Sequence, residues 1–308
     1  SYTSNKYYTN ISKDLLNPIA LSITVSDLFL RIQKFKDGDY IYTKDRGYAF
    51  EKQLNENVNY VFTKRLNDYI APEVSATIPM LIMTPTILND GRRLFISPLP
   101  VSYLNNRIME NDSFKYASLT EGIDFKRFFN DNDAGNLRIS SAIRMSATFP
   151  YILPNVSLPS DPVMEVMDAG IRDNFGLRTS LKFLYVFKDW IEENTSGVIF
   201  IQIRDTPENP VFEPNSMKTI MQSLTTPVGS FYGNFPKIQH YNHDEIFQYA
   251  SSWYKGKLDF VTFQLPDEEE KISLSWHLTT REKDFINNAI YLKPNKEAFK
   301  KLEGIMVK

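Results

Sequence analysis

The sequence predicts an α/β fold with a mostly parallel central sheet covered by helices. Three stretches carry that expectation. Val198–Ile203 is a near-continuous apolar run, the pattern of a central parallel strand covered on both faces. Val163–Asp168 reads as a strand whose Met164, Val166 and Asp168 share one face. Between them Leu177, Leu181, Leu184, Phe187 and Ile191 recur at helical spacing, and Asn194 to Gly197 closes that helix. Strand, helix and strand in this order make a β–α–β unit with a right-handed crossover.

The other elements follow in chain order. Ile19–Phe35 is apolar with scattered polar residues and fits a strand, a helix, or both in turn. Asp37-Gly38-Asp39 is a turn, and Tyr48–Leu54 and Val58–Tyr69 read as helices, with Pro72 after the second. Pro79–Thr84 is a short apolar run with the length of a buried strand. Asn89-Asp90-Gly91 signals a hairpin that returns as a strand over Arg93–Ser97. Asn105–Gly135 is polar and reads as a surface excursion with one helical turn around Phe125–Phe129. Leu137–Thr148 is a helix with Ile139, Ala142, Ile143, Ser146 and Phe149 on one face, ended by Pro150. Its small residues Ser140, Ser141, Ala142, Ser146 and Ala147 allow a neighbouring backbone to approach closely.

Beyond the predicted β–α–β unit, Asp205–Ser216 carries Pro207, Pro210 and Pro214 and reads as a loop. Leu258–Phe263 and Ile272–Trp276 read as strands. Thr279 with Glu282 forms a capping box for a helix through Ile290, and Pro294 opens a last helix. With no internal repeat and no linker, residues 1–308 are expected to form a single α/β domain.

Composition narrows the function. A chain of 308 residues can bury about three quarters of its unfolded surface without staples. The absence of cysteine excludes disulfides, thiolate metal sites, iron–sulfur clusters and cysteine nucleophiles, and leaves the compartment undecided. Lys plus Arg is 35 against 37 Asp plus Glu, so the chain has no electrostatic footprint for nucleic acid. The longest apolar stretches, Ile78–Leu88 and Pro18–Ile32, are interrupted and fall short of the ~20 residues of a membrane span. No positively charged, apolar leader opens at Ser1, so no localisation is assigned. The 22 Phe and 17 Tyr suit a thick core, with lipid contact as an additional use.

Asp168 is the residue with chemical promise. Ligand-facing residues of a parallel sheet sit just past the carboxyl ends of strands, and Asp168 occupies such a place. Ala169-Gly170 lets the chain turn at once and exposes backbone N–H groups. Two readings fit: a turn or cap aspartate, or a desolvated carboxylate able to accept a proton.

Two segments together point further. Ser141-Ala142-Ile143-Arg144-Met145-Ser146-Ala147-Thr148-Phe149-Pro150-Tyr151-Ile152-Leu153-Pro154 is followed by Asp168-Ala169-Gly170-Ile171-Arg172-Asp173-Asn174. This pair resembles the patatin-like phospholipase family: a small-residue helix ending in a Phe-Pro turn, then Asp-Gly-Gly or Asp-Gly-Ala, then Asp-Asn. Asp45-Arg46-Gly47, the Ile78–Pro85 stretch and Asn89-Asp90-Gly91 are similar to the lead-in of these proteins. The resemblance spans residues 11–203 and leaves 204–308 as a C-terminal extension of unknown role.

The resemblance implies a partial patatin-like fold and a Ser–Asp dyad hydrolase that cleaves fatty-acyl esters without histidine. Asp168 is then the dyad base, and Ala169, Gly170, Asp173, Asn174, Ser146 and Pro150 shape its surroundings. Two family elements are missing: the chain contains neither Gly-x-Ser-x-Gly nor a Gly-rich oxyanion loop, and Gly229-Ser230-Phe231-Tyr232-Gly233 has the wrong spacing. Ala169 also stands where the family usually has glycine. The expectation is that the nucleophile and the N-terminal strands lie upstream of Ser1 in a longer parent, and that the isolated chain is inactive. The expected partners are a lipid or acyl-ester substrate, a second copy covering the bared sheet, and a membrane surface met through the parent. No cofactor or metal is expected. The alternative is a non-catalytic binding or scaffolding domain with a degenerate site.

Other residues read more plainly. Ser146 lies mid-helix, where its hydroxyl bonds a backbone carbonyl. His240 and His243 with Asp244 and Glu245 are near one another in sequence but lack a remote third ligand. His277, between Trp276 and Leu278, reads as packing. Arg138, Arg144, Arg172, Arg178 and Arg204 fit ion pairing better than phosphate binding. Asp267–Glu270 reads as a solvated loop.

Overall fold

Short connections decide the sheet order. In the computed structural model, which describes residues 8–10, 12–22, 33–106, 120–148, 153–205, 246–265, 272 and 277–307, Asp37 to Asp39 joins β1 (Lys34–Asp37) to β2 (Tyr40–Thr43) as an antiparallel hairpin. Gly38 takes φ +59° there, a left-handed conformation that glycine adopts without a Cβ penalty. Contacts gather the chain into two compact units, Ser1–Arg172 with Ser273–Thr279, and Asp173–Ile272 with Thr280–Lys308.

The first unit opens with α1 (Leu16–Ser22) and α2 (Arg46–Asn57). Asp45 starts α2 by accepting the Tyr48 N–H at 2.9 Å, which satisfies one donor left over at a helix start. The second predicted helix, Val58–Tyr69, does not form. Asn59 and Tyr60 turn left-handed at φ 54° and 61°, and the chain continues as two 3₁₀ turns before the short α3 (Ile70–Val74).

A five-stranded sheet follows, built from β3 (Thr86–Ile87), β4 (Arg93–Phe95), β5 (Gly122–Asp124), β6 (Val156–Leu158) and β7 (Met164–Met167), in the order β5-β4-β3-β7-β6. The Asn89–Gly91 turn and the short link from β6 to β7 can join only antiparallel neighbours. Consequently β3–β4, β3–β7 and β6–β7 are antiparallel, and only β4–β5 is parallel. The predicted buried strand Pro79–Thr84 is instead a loop whose Met80 and Leu81 are exposed. Pro79 and Pro85 each lack an N–H for a ladder, and pairing begins with a single bridge from Met83 to Ile96.

Onto this sheet pack α4 (Phe125–Phe128) and α5 (Ile139–Ser146). Leu66, Ile87, Leu94, Phe129, Ala142, Met145 and Val166 meet in one buried cluster. The helix predicted over Leu137–Thr148 is α5, which buries Ile139, Ala142 and Met145.

The short α6 (Gly170–Asp173) spans the boundary between the units. The second unit holds α7 (Leu177–Asn194), the strands β8 (Val198–Arg204) and β9 (Leu258–Gln264), and the helices α8 (Thr280–Ala289) and α9 (Lys293–Met306). The predicted stripe of α7 buries Leu177, Leu181 and Leu184 against Ala250 and Tyr254, with Phe200 and Phe260 packed beside them. β8 and β9 are parallel and in register over seven residues. Asn295 of α9 closes the end of β9, accepting the Gln264 N–H at 2.9 Å and donating to the Gln264 and Ala289 carbonyls at 2.8 Å each.

The molecule is therefore a mixed α/β protein with open sheets. The predicted β–α–β unit is corrected: β7 and β8 belong to different sheets, because β3 and β6 already occupy both edges of β7. The parallel pairing expected of Val198–Ile203 is made with β9 instead. Among the described residues only one face of β8 is covered, and Ile201 and Ile203 are 52% and 78% exposed. Among the described residues no helix is long and apolar enough to cross a membrane. Phe149, Pro150, the segment 229–233, His240, His243, Asp244, Glu245, the prolines 207, 210 and 214, the acidic run 267–270 and most of the predicted strand 272–276 lie outside the described residues.

Candidate functional site

Asp168 follows β7 directly and is held by backbone on three sides. Its N–H donates to the Thr148 carbonyl at 3.2 Å, and the Ala169 N–H donates to the Ser146 carbonyl at 3.1 Å. Those two acceptors lie at and just past the end of α5, where carbonyls lose their partners within the helix. The Thr86 hydroxyl, from β3, donates to the Asp168 carbonyl at 2.9 Å. The small residues near the end of α5 thus let β7 come close, as their size predicts.

The carboxylate itself is lightly held. Oδ1 accepts the Gly170 N–H at 2.6 Å. Among the described residues Oδ2 accepts no hydrogen bond, and no cation pairs with the group. Burial dominates, and it pushes the Asp168 pKa up to about 6, with the Gly170 bond opposing it. A carboxylate with this pKa is ionised at neutral pH yet remains basic enough to take a proton.

The neighbouring turn has a structural logic of its own. Neither Ala169 nor Gly170 takes a positive φ, so alanine is tolerated where the family pattern has glycine. The Arg172 N–H returns to the Ala169 carbonyl at 3.1 Å and closes the first turn of α6. Asp173 is buried and caps α7: its Oδ1 accepts the Arg178 N–H at 3.1 Å, and its Oδ2 accepts the Thr179 N–H at 2.9 Å and the Thr179 hydroxyl at 2.6 Å. Asn174 is exposed.

Ser146 donates its hydroxyl to the Ala142 carbonyl at 3.1 Å, and Ser141 donates to Glu51 at 2.7 Å. Among the described residues no serine or threonine hydroxyl reaches the Asp168 carboxylate. The arginines pair locally: Arg138 with Asp37 at 2.8 Å, Arg144 with Asp45 and Glu51 at 3.4 and 3.5 Å, and Arg172 with Glu121 at 3.9 Å. Arg204 stacks over the Phe175 ring. His277 is corrected from packing to a polar contact, its Nδ1 lying 3.1 Å from Asp14 Oδ1. Among the described residues no three carboxylates or histidines converge as a metal site would require.

Sequence reasoning missed Thr86 and the anchor formed by Glu121, which pairs with both Arg172 and the buried Arg93. Only the strand register brings these residues to Asp168 and its turn, and no local pattern announces a register between distant strands. No protein-family model, no curated protein and no solved structure matches the chain.

Proposed function

We propose that the chain is the aspartate-bearing part of a patatin-like lipid acyl hydrolase, with Asp168 as the dyad base. The observation that carries this reading is a carboxylate at a strand end, desolvated to a pKa of about 6 and free of any cation among the described residues. Purely structural aspartates in the same molecule look different. Asp37 sits between Arg65 and Arg138, and its carboxyl is held below the usual range.

In this reading the nucleophilic serine comes from polypeptide outside the 308 residues, because the chain carries no Gly-x-Ser-x-Gly and, among the described residues, the Ser146 and Ser141 hydroxyls are committed elsewhere. In the reaction the serine oxygen attacks the ester carbonyl carbon while its proton passes to Asp168 Oδ2. The tetrahedral adduct collapses, the C–O bond to the alcohol breaks, and Asp168 returns the proton to the departing alkoxide. Water then repeats the sequence on the acyl-enzyme and releases the fatty acid.

Hydrolysis of p-nitrophenyl butyrate tests the proposal. The 308-residue chain alone is expected to give no turnover above buffer. In the natural gene product, Asp168→Asn is expected to lower kcat/KM by at least about 100-fold. Full activity of that variant overturns the base assignment. Turnover by the isolated chain that disappears in Asp168→Ala overturns the external serine.

A further inference from the structure

Ile78-Pro79-Met80-Leu81-Ile82 is five apolar residues in a row, and the structure leaves the middle three exposed. Val74, at the end of α3, adds a side chain 70% in solvent. A contiguous exposed apolar run is a liability in a soluble fold unless it serves contact with something apolar. This run is also held in place. Glu73 is 92% buried, its exposure being 8%, and its Oε1 accepts the Leu81 N–H at 3.0 Å. The Tyr103 hydroxyl lies 3.7 Å from the Met80 sulfur. The loop is therefore presented by the fold.

The strand register fixes where it is presented. Thr86 is level with Met167, and β3 runs opposite to β7. The chain before Thr86 therefore leaves the sheet at the end where Asp168 emerges. Leu81 lies four residues before Pro85, the position level with Asp168, so it is at most ~13 Å further along the chain. β5 ends at the same side, and α4 begins there with Lys126 and the exposed Arg127.

We infer that the Ile78–Ile82 loop docks into a lipid surface carrying anionic headgroups, and brings the Asp168 end of the sheet to ester-bearing lipid. The choice of lipid rests on the acyl-hydrolase reading above and on what the loop lacks. Pro79 has no N–H, the Leu81 N–H is taken by Glu73, and Met83 exchanges both its backbone groups with Ile96. The loop offers a partner apolar side chains and little free strand edge. Arg127 supplies charge complementary to anionic headgroups, and Tyr103 stands at the loop base with an apolar ring and a polar tip.

Co-sedimentation of the chain with vesicles of phosphatidylcholine and phosphatidylglycerol tests the inference. The wild-type chain is expected to pellet with them. Met80→Asp combined with Leu81→Asp is expected to bind at least about tenfold more weakly, and Val307→Asp, at an exposed apolar position of the second unit, to bind as wild type. Asp168→Asn is expected to keep vesicle binding, which separates failure of docking from failure of the hydrolase reading. The cysteine-free chain also permits a single Met80→Cys label. An environment-sensitive dye there is expected to shift to the blue on vesicle addition without any polar substitution in the loop. No binding by wild type, equal binding by the double variant, or an unshifted dye overturns the inference. A dimer in light scattering that the double variant dissociates also overturns it, in favour of a protein contact.

Discussion

The Gly170 N–H donates to Asp168 Oδ1 at 2.6 Å, and this is the one hydrogen bond to that carboxylate among the described residues. One bond does not offset the burial, so the charged form is disfavoured in the fold and its pKa rises to about 6. In the unfolded chain an aspartate titrates near 3.9. The folded state therefore binds more protons between about pH 4 and 6, and stability falls as pH rises through that window. The penalty is absent below it and complete above it. Asp168→Asn keeps an acceptor for Gly170 and removes the charge. The variant is expected to be more stable than wild type at pH 8, by about 1–2 kcal/mol after allowance for partial solvent access, and equal to it at pH 4. Urea unfolding at both pH values measures this, and a variant weaker at pH 8 would show the ionised carboxylate to be stabilised.

Thr86 anchors the same turn from the neighbouring strand through its hydroxyl bond to the Asp168 carbonyl at 2.9 Å. Thr86→Val keeps the shape and the β-branch but loses the donor. The residue is 2% exposed, so the Asp168 carbonyl loses a partner at a site closed to water. The expected loss is about 1 kcal/mol of unfolding free energy. Titration of Asp168, followed by carboxyl-carbon NMR, is expected to stay near 6, because the bond is to backbone and not to the carboxylate.

Local pattern and long-range pairing were unequally legible in the sequence. Asp168 at a strand end, the turn at Ala169-Gly170, the stripe of α7 and the committed Ser146 hydroxyl follow from spacing within a few residues. Thr86 and Glu121 do not, because they reach the site only through register between strands far apart in sequence. Val198–Ile203 looked covered on both faces, yet Ile201 and Ile203 stand in solvent. An apolar run states that a strand can be buried and leaves open what covers it. Pro79–Thr84 departs in the same way: composition suggests a strand, while Pro79, Pro85 and the tether from Leu81 to Glu73 make it a loop.

Asp173, five residues beyond Asp168, has the opposite character. It accepts three hydrogen bonds from the start of α7 and is 2% exposed. Asp173→Ala is expected to destabilise the chain by about 1–2 kcal/mol through loss of the cap. The same substitution is expected to leave the Asp168 titration near pH 6. Helix loss by circular dichroism and the NMR titration separate a cap from a catalytic partner. A drop in the Asp168 pKa would tie the two carboxylates together.

Glu121 ties the turn after Asp168 to the sheet interior. Its Oε1 lies 2.8 Å from Arg93 Nη2 and 3.9 Å from Arg172 Nη2. The Arg93 side chain is 1% exposed, and Glu121 offsets part of its buried charge. Glu121→Gln retains the size and one acceptor but removes the charge, leaving a buried guanidinium against a neutral amide. Removing one partner of a buried pair typically destabilises by about 3–5 kcal/mol. The amide retains an acceptor and Glu121 is partly open to solvent, so the lower end is expected, measured by urea unfolding at pH 7. Replacing the pair together, Arg93→Met with Glu121→Gln, is expected to recover part of that loss, because no buried guanidinium then faces the neutral amide. If the double variant is weaker than Glu121→Gln alone, the stem of Arg93 and its stacking on the Phe95 ring outweigh its charge, and the ion pair is not what holds this corner of the sheet.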